Sequence, residues 1–99
     1  MNWSGVLGWT ADVTEEAARQ LARLDRPIQH RILRFLRERV ETAEDPRSFG
    51  RALQGRHSGL WRYRVGDYRL ICQLRDSQRI MLVVTLGHRR EVYRLSNIR

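Results

Sequence analysis

Hydrophobic positions along this chain of 99 residues keep two different periods. Before residue 45 they recur every three or four positions, and after residue 59 they alternate or run together. Residues 8–13, GWTADV, alternate weakly and predict a short first strand. Thr14 is placed to cap a helix, with Glu15 and Glu16 near the positive end of its dipole. Ala17, Ala18, Leu21 and Leu24 then repeat at helical spacing through EEAARQLARLD. Asp25 ends that helix and is placed to cap the next, and Pro27 falls in a first turn, where a missing N–H costs nothing. In PIQHRILRFLRERVETAE, residues 27–44, Ile28, Ile32, Phe35, Leu36 and Val40 form one stripe, widened by Leu33. Arg31, Arg34, Arg37 and Arg39 line most of the remaining surface, partly offset by Glu38, Glu41 and Glu44. A solvated amphipathic face explains that pattern better than an RNA-binding helix.

The second half reads as strands. DPRSFG is a loop, since Pro46 biases Asp45 away from helix and Gly50 helps the chain turn. Leu60 to Val65 and Tyr68 to Leu74 are strands joined by the Gly66-Asp67 turn, hence a hairpin. Asp76-Ser77 is the next turn. IMLVVTL, Ile80 to Leu86, is apolar on both faces and predicts a central strand covered on both sides, ended by Gly87. The order is β-α-α-β-β-β. It predicts an α+β fold: an antiparallel-rich sheet with an N-terminal helical hairpin packed on one face. Residues 1–99 make a single domain, with 1–8 an irregular extension.

Composition narrows the function classes. No apolar run approaches the roughly 20 residues that span a bilayer, and MNWSGVLGWT lacks the basic start and apolar centre of a signal peptide. One cysteine, Cys72, sits in an apolar run and reads as a core residue. A lone thiol makes no internal disulfide, which fits a reducing cytoplasm. The formal charge is +8, from 19 basic residues and 11 acids, and every basic residue is arginine. Residues 1–45 hold 7 Arg against 8 acids, whereas residues 46–99 hold 12 Arg against Asp67, Asp76 and Glu91. A basic half joined to a neutral half points to a polyanionic partner. The plainer reading is a basic surface with no specific ligand.

Strand parity locates the charge. In LWRYRVGDYRL, Trp61, Tyr63 and Val65 share one face of their strand, and Arg62 and Arg64 share the other. Leu70, Cys72 and Leu74 fall on one face of the next strand, with Arg69, Ile71 and Gln73 opposite. If the apolar sets meet the helices, Arg62, Arg64 and Arg69 converge on the far face. Periodicity alone leaves two readings: three arginines in water, or three guanidinium groups arranged to hold a phosphate diester. A second cluster, GHRREVYRL, sets His88, Arg89, Arg90 and Tyr93 after the central strand, a combination suited to phosphoryl transfer. Histidine is the side-chain type suited to proton transfer at physiological pH, which makes His88 the candidate, whereas His30 and His57 read as structural or exposed. No metal-ligand spacing, glycine-rich phosphate loop or G-x-S-x-G motif is present.

These stretches resemble a known family. DPRSFGRALQGRHSGLWRYRVGDYRLICQL followed by MLVVTLGHRREVY is similar to the RelE branch of the RelE/ParE toxin superfamily, over roughly Trp9 to Tyr93. The resemblance is strongest over residues 45–93, and LARLDRPIQHRIL resembles the family's second-helix entry. It implies a cytoplasmic, ribosome-dependent endoribonuclease that cuts mRNA in the A site. The ribose 2′-hydroxyl attacks the adjacent phosphate and leaves a 2′,3′-cyclic phosphate, without metal or cofactor. It also implies a cognate antitoxin, often acidic, that wraps the toxin. By position, Arg62 and Arg64 match the basic residues of the family's first active-site strand. Arg69 matches the arginine after the conserved tyrosine, here Tyr68, and Arg89 and Tyr93 match the later arginine and tyrosine. Arg69, Arg89 and Tyr93 form the implied catalytic core, while Arg62 and Arg64, with Arg90, hold the RNA.

One departure changes the chemistry. The best-described members carry lysine where this chain has Arg62 and Arg64, and arginine is a poor base. Either catalysis is mainly electrostatic, each preorganised donor being worth about 10²–10³ in rate, or His88 or a ribosomal RNA group moves the proton. The alternative within the same fold is the ParE branch, which inhibits DNA gyrase by binding protein and cleaves no RNA.

Overall fold

A computed structural model of the protein describes residues 8–92. Strand β1 (Thr10–Val13) passes through Thr14 into helix α1 (Glu15–Ala22). The Thr14 hydroxyl accepts the Ala17 N–H at 3.1 Å and donates to the Val84 carbonyl at 2.8 Å. One side chain therefore caps the helix and fastens it to the sheet. Helix α1 stops at Ala22, two residues short of Leu24, the last of the apolar positions at helical spacing.

Helix α2 spans Arg26–Arg34, with Pro27 in its first turn. Asp25 occupies the capping position, but its side chain makes no capping bond. The helix continues over Phe35–Val40 in a wider π-type winding, where the Glu41 N–H returns to the Leu36 carbonyl at 3.1 Å. The single helix expected to residue 44 thus changes pitch and ends near Glu41. The chain's N-terminal side packs against this end. Trp9 Nε1 donates to the Glu44 carbonyl at 3.1 Å, and a Cβ on buried Gly8 would run into the Glu41 carbonyl.

The sheet has five strands, ordered β1-β5-β4-β3-β2, with β2 at Arg51–Ala52, β3 at Leu60–Val65, β4 at Tyr68–Arg75 and β5 at Ile80–His88. Strand β1 pairs parallel with β5, and the other pairings are antiparallel. The expected β-α-α-β-β-β order lacked β2, which has only two residues, both exposed, and so no apolar alternation to announce it. Gly66, with φ +61°, supplies the left-handed residue at the first central position of the two-residue β3–β4 turn, the pattern of a type II′ hairpin.

Strand β5, expected to be central, is an inner strand between β1 and β4, with β4 at the centre of the sheet, and Gly87 does not end it. Gly87 pairs with Arg69 and His88 with Tyr68. The register jumps between Ile71↔Thr85 and Cys72↔Val83, leaving Val84 as an extra residue. This bulge moves the inward positions of β5 from Met81 and Val83 to Leu86. Beyond Val83 strand β1 no longer covers that edge, and α1 does. The Gln20 amide oxygen accepts the Leu86 N–H at 2.7 Å, and its nitrogen donates to Thr85 Oγ1 at 2.9 Å.

The core lies between the helices and one sheet face. Ala17, Ile32, Leu36 and Val40 meet Tyr63, Val65, Leu70, Cys72, Met81, Val83 and Leu86 there. Leu33, expected to widen the stripe, is 39% exposed.

Candidate active site

Residues 60–70 are sorted by the sheet into two surfaces. Tyr63, Val65 and Leu70 are buried on the helix side. On the other, Arg64 stands directly opposite Arg69, and Arg62 opposite Ile71. Cross-strand partners share a face, so the register sets Arg62, Arg64 and Arg69 on one surface. Gly87 follows Arg69 in the same row, which keeps that end of the row clear of a side chain. Arg64 is exposed; Arg62 and Arg69 are half-buried. Arg69 Nη1 donates to the Gly66 and Tyr68 carbonyls, each at 3.0 Å. Its guanidinium is thereby folded over the hairpin turn and oriented before any ligand arrives.

The segment after β5 is tied to the same turn. The Arg89 N–H donates to the Asp67 carbonyl at 2.8 Å, leaving the exposed Arg89 side chain beside the hairpin end. Arg90 is exposed too, and its N–H donates to His88 Nδ1 at 3.2 Å. His88 stands apart from Arg62, Arg64 and Arg69. The bulge in β5 puts it in the row of Val65 and Tyr68, on the helix side, with the Tyr68 and His88 rings edge to face at 5.6 Å. Together they line a cavity of about 380 Å³ against Gln20 and Arg23 of the α1 region. Tyr93 lies outside the described residues.

The DPR stretch holds the site rather than joining it. Asp45 accepts the Arg47 N–H at 3.1 Å and caps a short 3₁₀ turn, Pro46–Phe49. The Arg47 guanidinium forks onto Asp76 at 3.0 and 2.7 Å and lies 5.7 Å over the Trp61 ring. That fork pulls the Asp76 carboxyl below the ordinary carboxylate range and raises Arg47 further. The buried Tyr63 hydroxyl donates to the Pro46 carbonyl at 3.0 Å. Burial raises the ionisation of Tyr63 and of the enclosed Cys72 thiol well above their usual values, so neither is a base or nucleophile near neutrality. Among the described residues, no group of three or more His, Cys, Asp or Glu could hold a metal ion.

Sequence reading missed Arg51, which pairs with Arg62 across β2 and β3. It also missed the Arg47–Asp76 fork, whose partners are 29 residues apart. The only signal for either was the excess of arginine after residue 46.

The family model for the ParE toxin of the type II toxin–antitoxin system parDE matches residues 11–93. The chain therefore belongs to that toxin family, within the RelE/ParE superfamily, in agreement with the resemblance carried by residues 45–93. No curated protein matches the sequence. Among solved structures, the fold is similar to that of a chain in the Mycobacterium tuberculosis RelBE2 toxin–antitoxin complex. That chain is 23% identical with a TM-score of 0.75, over 84% of this chain and 93% of that one. A chain of the archaeal RelE–RelB complex from Pyrococcus horikoshii OT3 is 26% identical, with a TM-score of 0.66 over 83% and 96% of the two chains. The isolated E. coli RelE toxin is 20% identical, with a TM-score of 0.63 over 81% and 83%. No helix among the described residues is long and apolar enough to cross a membrane.

Proposed function

We propose that this toxin is a metal-independent, ribosome-dependent endoribonuclease that cleaves mRNA in the A site and so inhibits translation. The observation that carries this reading is the cross-strand pair Arg64 and Arg69 with Arg62 two residues along the same face. Like charges set opposite one another weaken a hairpin; a bound phosphodiester relieves the repulsion through charge-assisted, bidentate hydrogen bonds. In the reaction the 2′-oxygen bonds to phosphorus and loses its proton as the bond from phosphorus to the 5′-oxygen breaks. The leaving oxygen gains a proton, giving a 2′,3′-cyclic phosphate and a 5′-hydroxyl. Arg69 and Arg89, with Arg62 and Arg64 aligning the backbone and Arg90 nearby, neutralise the charge that builds on the phosphoryl oxygens. Arginine stays protonated, so proton movement falls to a ribosomal RNA group or to His88. His88, on the opposite face, is the weaker candidate for that role.

A cognate antitoxin is the proposed regulator. The M. tuberculosis structure is a toxin–antitoxin complex and the P. horikoshii structure a RelE–RelB complex, and the +8 charge suits an acidic partner. The site of action proposed is the cytoplasm.

The ParE family match favours a second reading, in which the protein inhibits DNA gyrase and cleaves nothing. The decisive comparison gives the toxin both targets in parallel, translating ribosomes with a defined mRNA and gyrase with relaxed plasmid. Codon-phased cuts with unaffected supercoiling support the nuclease; intact mRNA with blocked supercoiling supports the gyrase inhibitor.

A further inference from the structure

The arginine surface continues past β3, onto a strand the sequence does not announce. Arg51 in β2 is the cross-strand partner of Arg62, so its side chain leaves the sheet on the same face. Arg51, Arg62 and Arg64, with Phe49 and Gly50, line a hollow of about 190 Å³.

The surroundings of this hollow are fixed from three directions. A Cβ on Gly50 would lie 2.6 Å from the Tyr63 ring, so no larger residue fits there without displacing Tyr63. Tyr63 is itself held through its hydroxyl to Pro46. The Phe49 ring packs edge-on to Phe35 and Tyr63, at 6.0 and 5.6 Å, with the Arg39 guanidinium 4.3 Å over it. The Arg47–Asp76 fork anchors the turn that delivers Phe49 and Gly50 to the edge. A rigid wall rimmed by three permanent cations, beside the row that would hold the reacting phosphate, suits a second, non-reacting anion.

We infer that this hollow is an RNA-backbone subsite in which Arg51 holds the phosphodiester next to the one being cut. Arg51 is then a positioning residue: it touches neither the attacking 2′-oxygen nor the leaving oxygen, and it fixes which linkage sits between Arg64 and Arg69. Successive phosphates are a single nucleotide apart, so a contact on the neighbouring one sets the register of the strand. The inference rests on the nuclease reading and deepens it.

Ribosomes programmed with three mRNAs test it. One is unmodified, and the others carry a neutral methylphosphonate linkage immediately 5′ or immediately 3′ of the cleaved position. Losing one charge-assisted contact slows single-turnover cleavage by the wild-type toxin roughly tenfold on one of the two substituted mRNAs. Arg51→Ala slows cleavage of unmodified mRNA by about the same factor and is slowed no further by that substitution. Arg51→Lys, which keeps the charge, retains most of the rate. Because Arg51 is exposed on a two-residue strand, its variants keep the wild-type melting midpoint. An Arg51→Ala toxin as fast as wild type, or losses that multiply on both substituted mRNAs, overturns the subsite while leaving the nuclease reading intact. A wild-type toxin that cuts none of the three mRNAs overturns the nuclease reading and the subsite with it.

Discussion

Arg64 and Arg69 face each other across the β3–β4 hairpin. Two like charges directly opposite on one sheet face destabilise the fold. Arg69 is partly occupied by the Gly66 and Tyr68 carbonyls, whereas Arg64 is exposed. Arg64→Gln is therefore expected to raise the stability of the free toxin at low salt and to lower its cleavage activity. The gain shrinks as added salt screens the pair. Denaturant titrations at two ionic strengths, beside a cleavage assay, check both halves.

Asp76 is held below the ordinary carboxylate range by the Arg47 fork. A depressed folded-state value means that its stabilising share is present above the unfolded value of about 3.9 and is lost as pH falls through and below it. Asp76→Asn is expected to lower stability at neutral pH and to flatten the acid side of the stability curve. Melting midpoints from pH 7 down to pH 3 for the two proteins show whether their curves converge on the acid side.

Tyr63 ties the sheet to the DPR turn through one buried hydrogen bond to Pro46. Tyr63→Phe keeps the ring packing against Phe35 and Phe49 and strips the partner from that carbonyl. The expected cost is about 1–3 kcal/mol. Urea unfolding measures it, with an unchanged m-value showing that compactness is retained.

Cys72 keeps its proton in the fold because burial disfavours the thiolate. The unfolded thiol ionises above about pH 8.5, so the folded chain then binds more protons and stability falls as pH rises past that point. Tyr63 adds a second decline from about pH 10. Cys72→Ala is expected to remove the first decline and leave the second, and the native thiol should resist a thiol-specific reagent until urea unfolds the protein. Alkaline melting curves and reagent kinetics check these outcomes.

Wherever spacing within one element decides the outcome, the sequence is readable. Thr14 caps α1, Pro27 opens α2, Gly66-Asp67 turns the hairpin, and the alternation of residues 61–65 separates Tyr63 and Val65 from Arg62 and Arg64. Relations between elements were less legible. Two exposed residues carry no pattern, so β2 and its Arg51 stayed hidden. The unpaired Val84 reverses parity in the last part of β5, which no count along IMLVVTLGH reveals, and it is why His88 sits against Tyr68 rather than with Arg62, Arg64 and Arg69. The Arg47–Asp76 fork joins residues with no local relation. The change of pitch at Phe35 lies inside a stripe whose spacing suits an ordinary helix.

On the proposed reading, the Arg64–Arg69 face carries phosphoryl transfer on RNA. The most direct measurement is the rate and 3′-end chemistry of cleavage of ribosome-bound mRNA by wild type and by Arg64→Ala/Arg69→Ala. Wild type is predicted to leave 2′,3′-cyclic phosphate ends, with the double variant slower by at least about 10² while still binding the ribosome. A double variant that cuts at the wild-type rate, or a folded wild-type toxin that leaves the mRNA intact, would contradict the account.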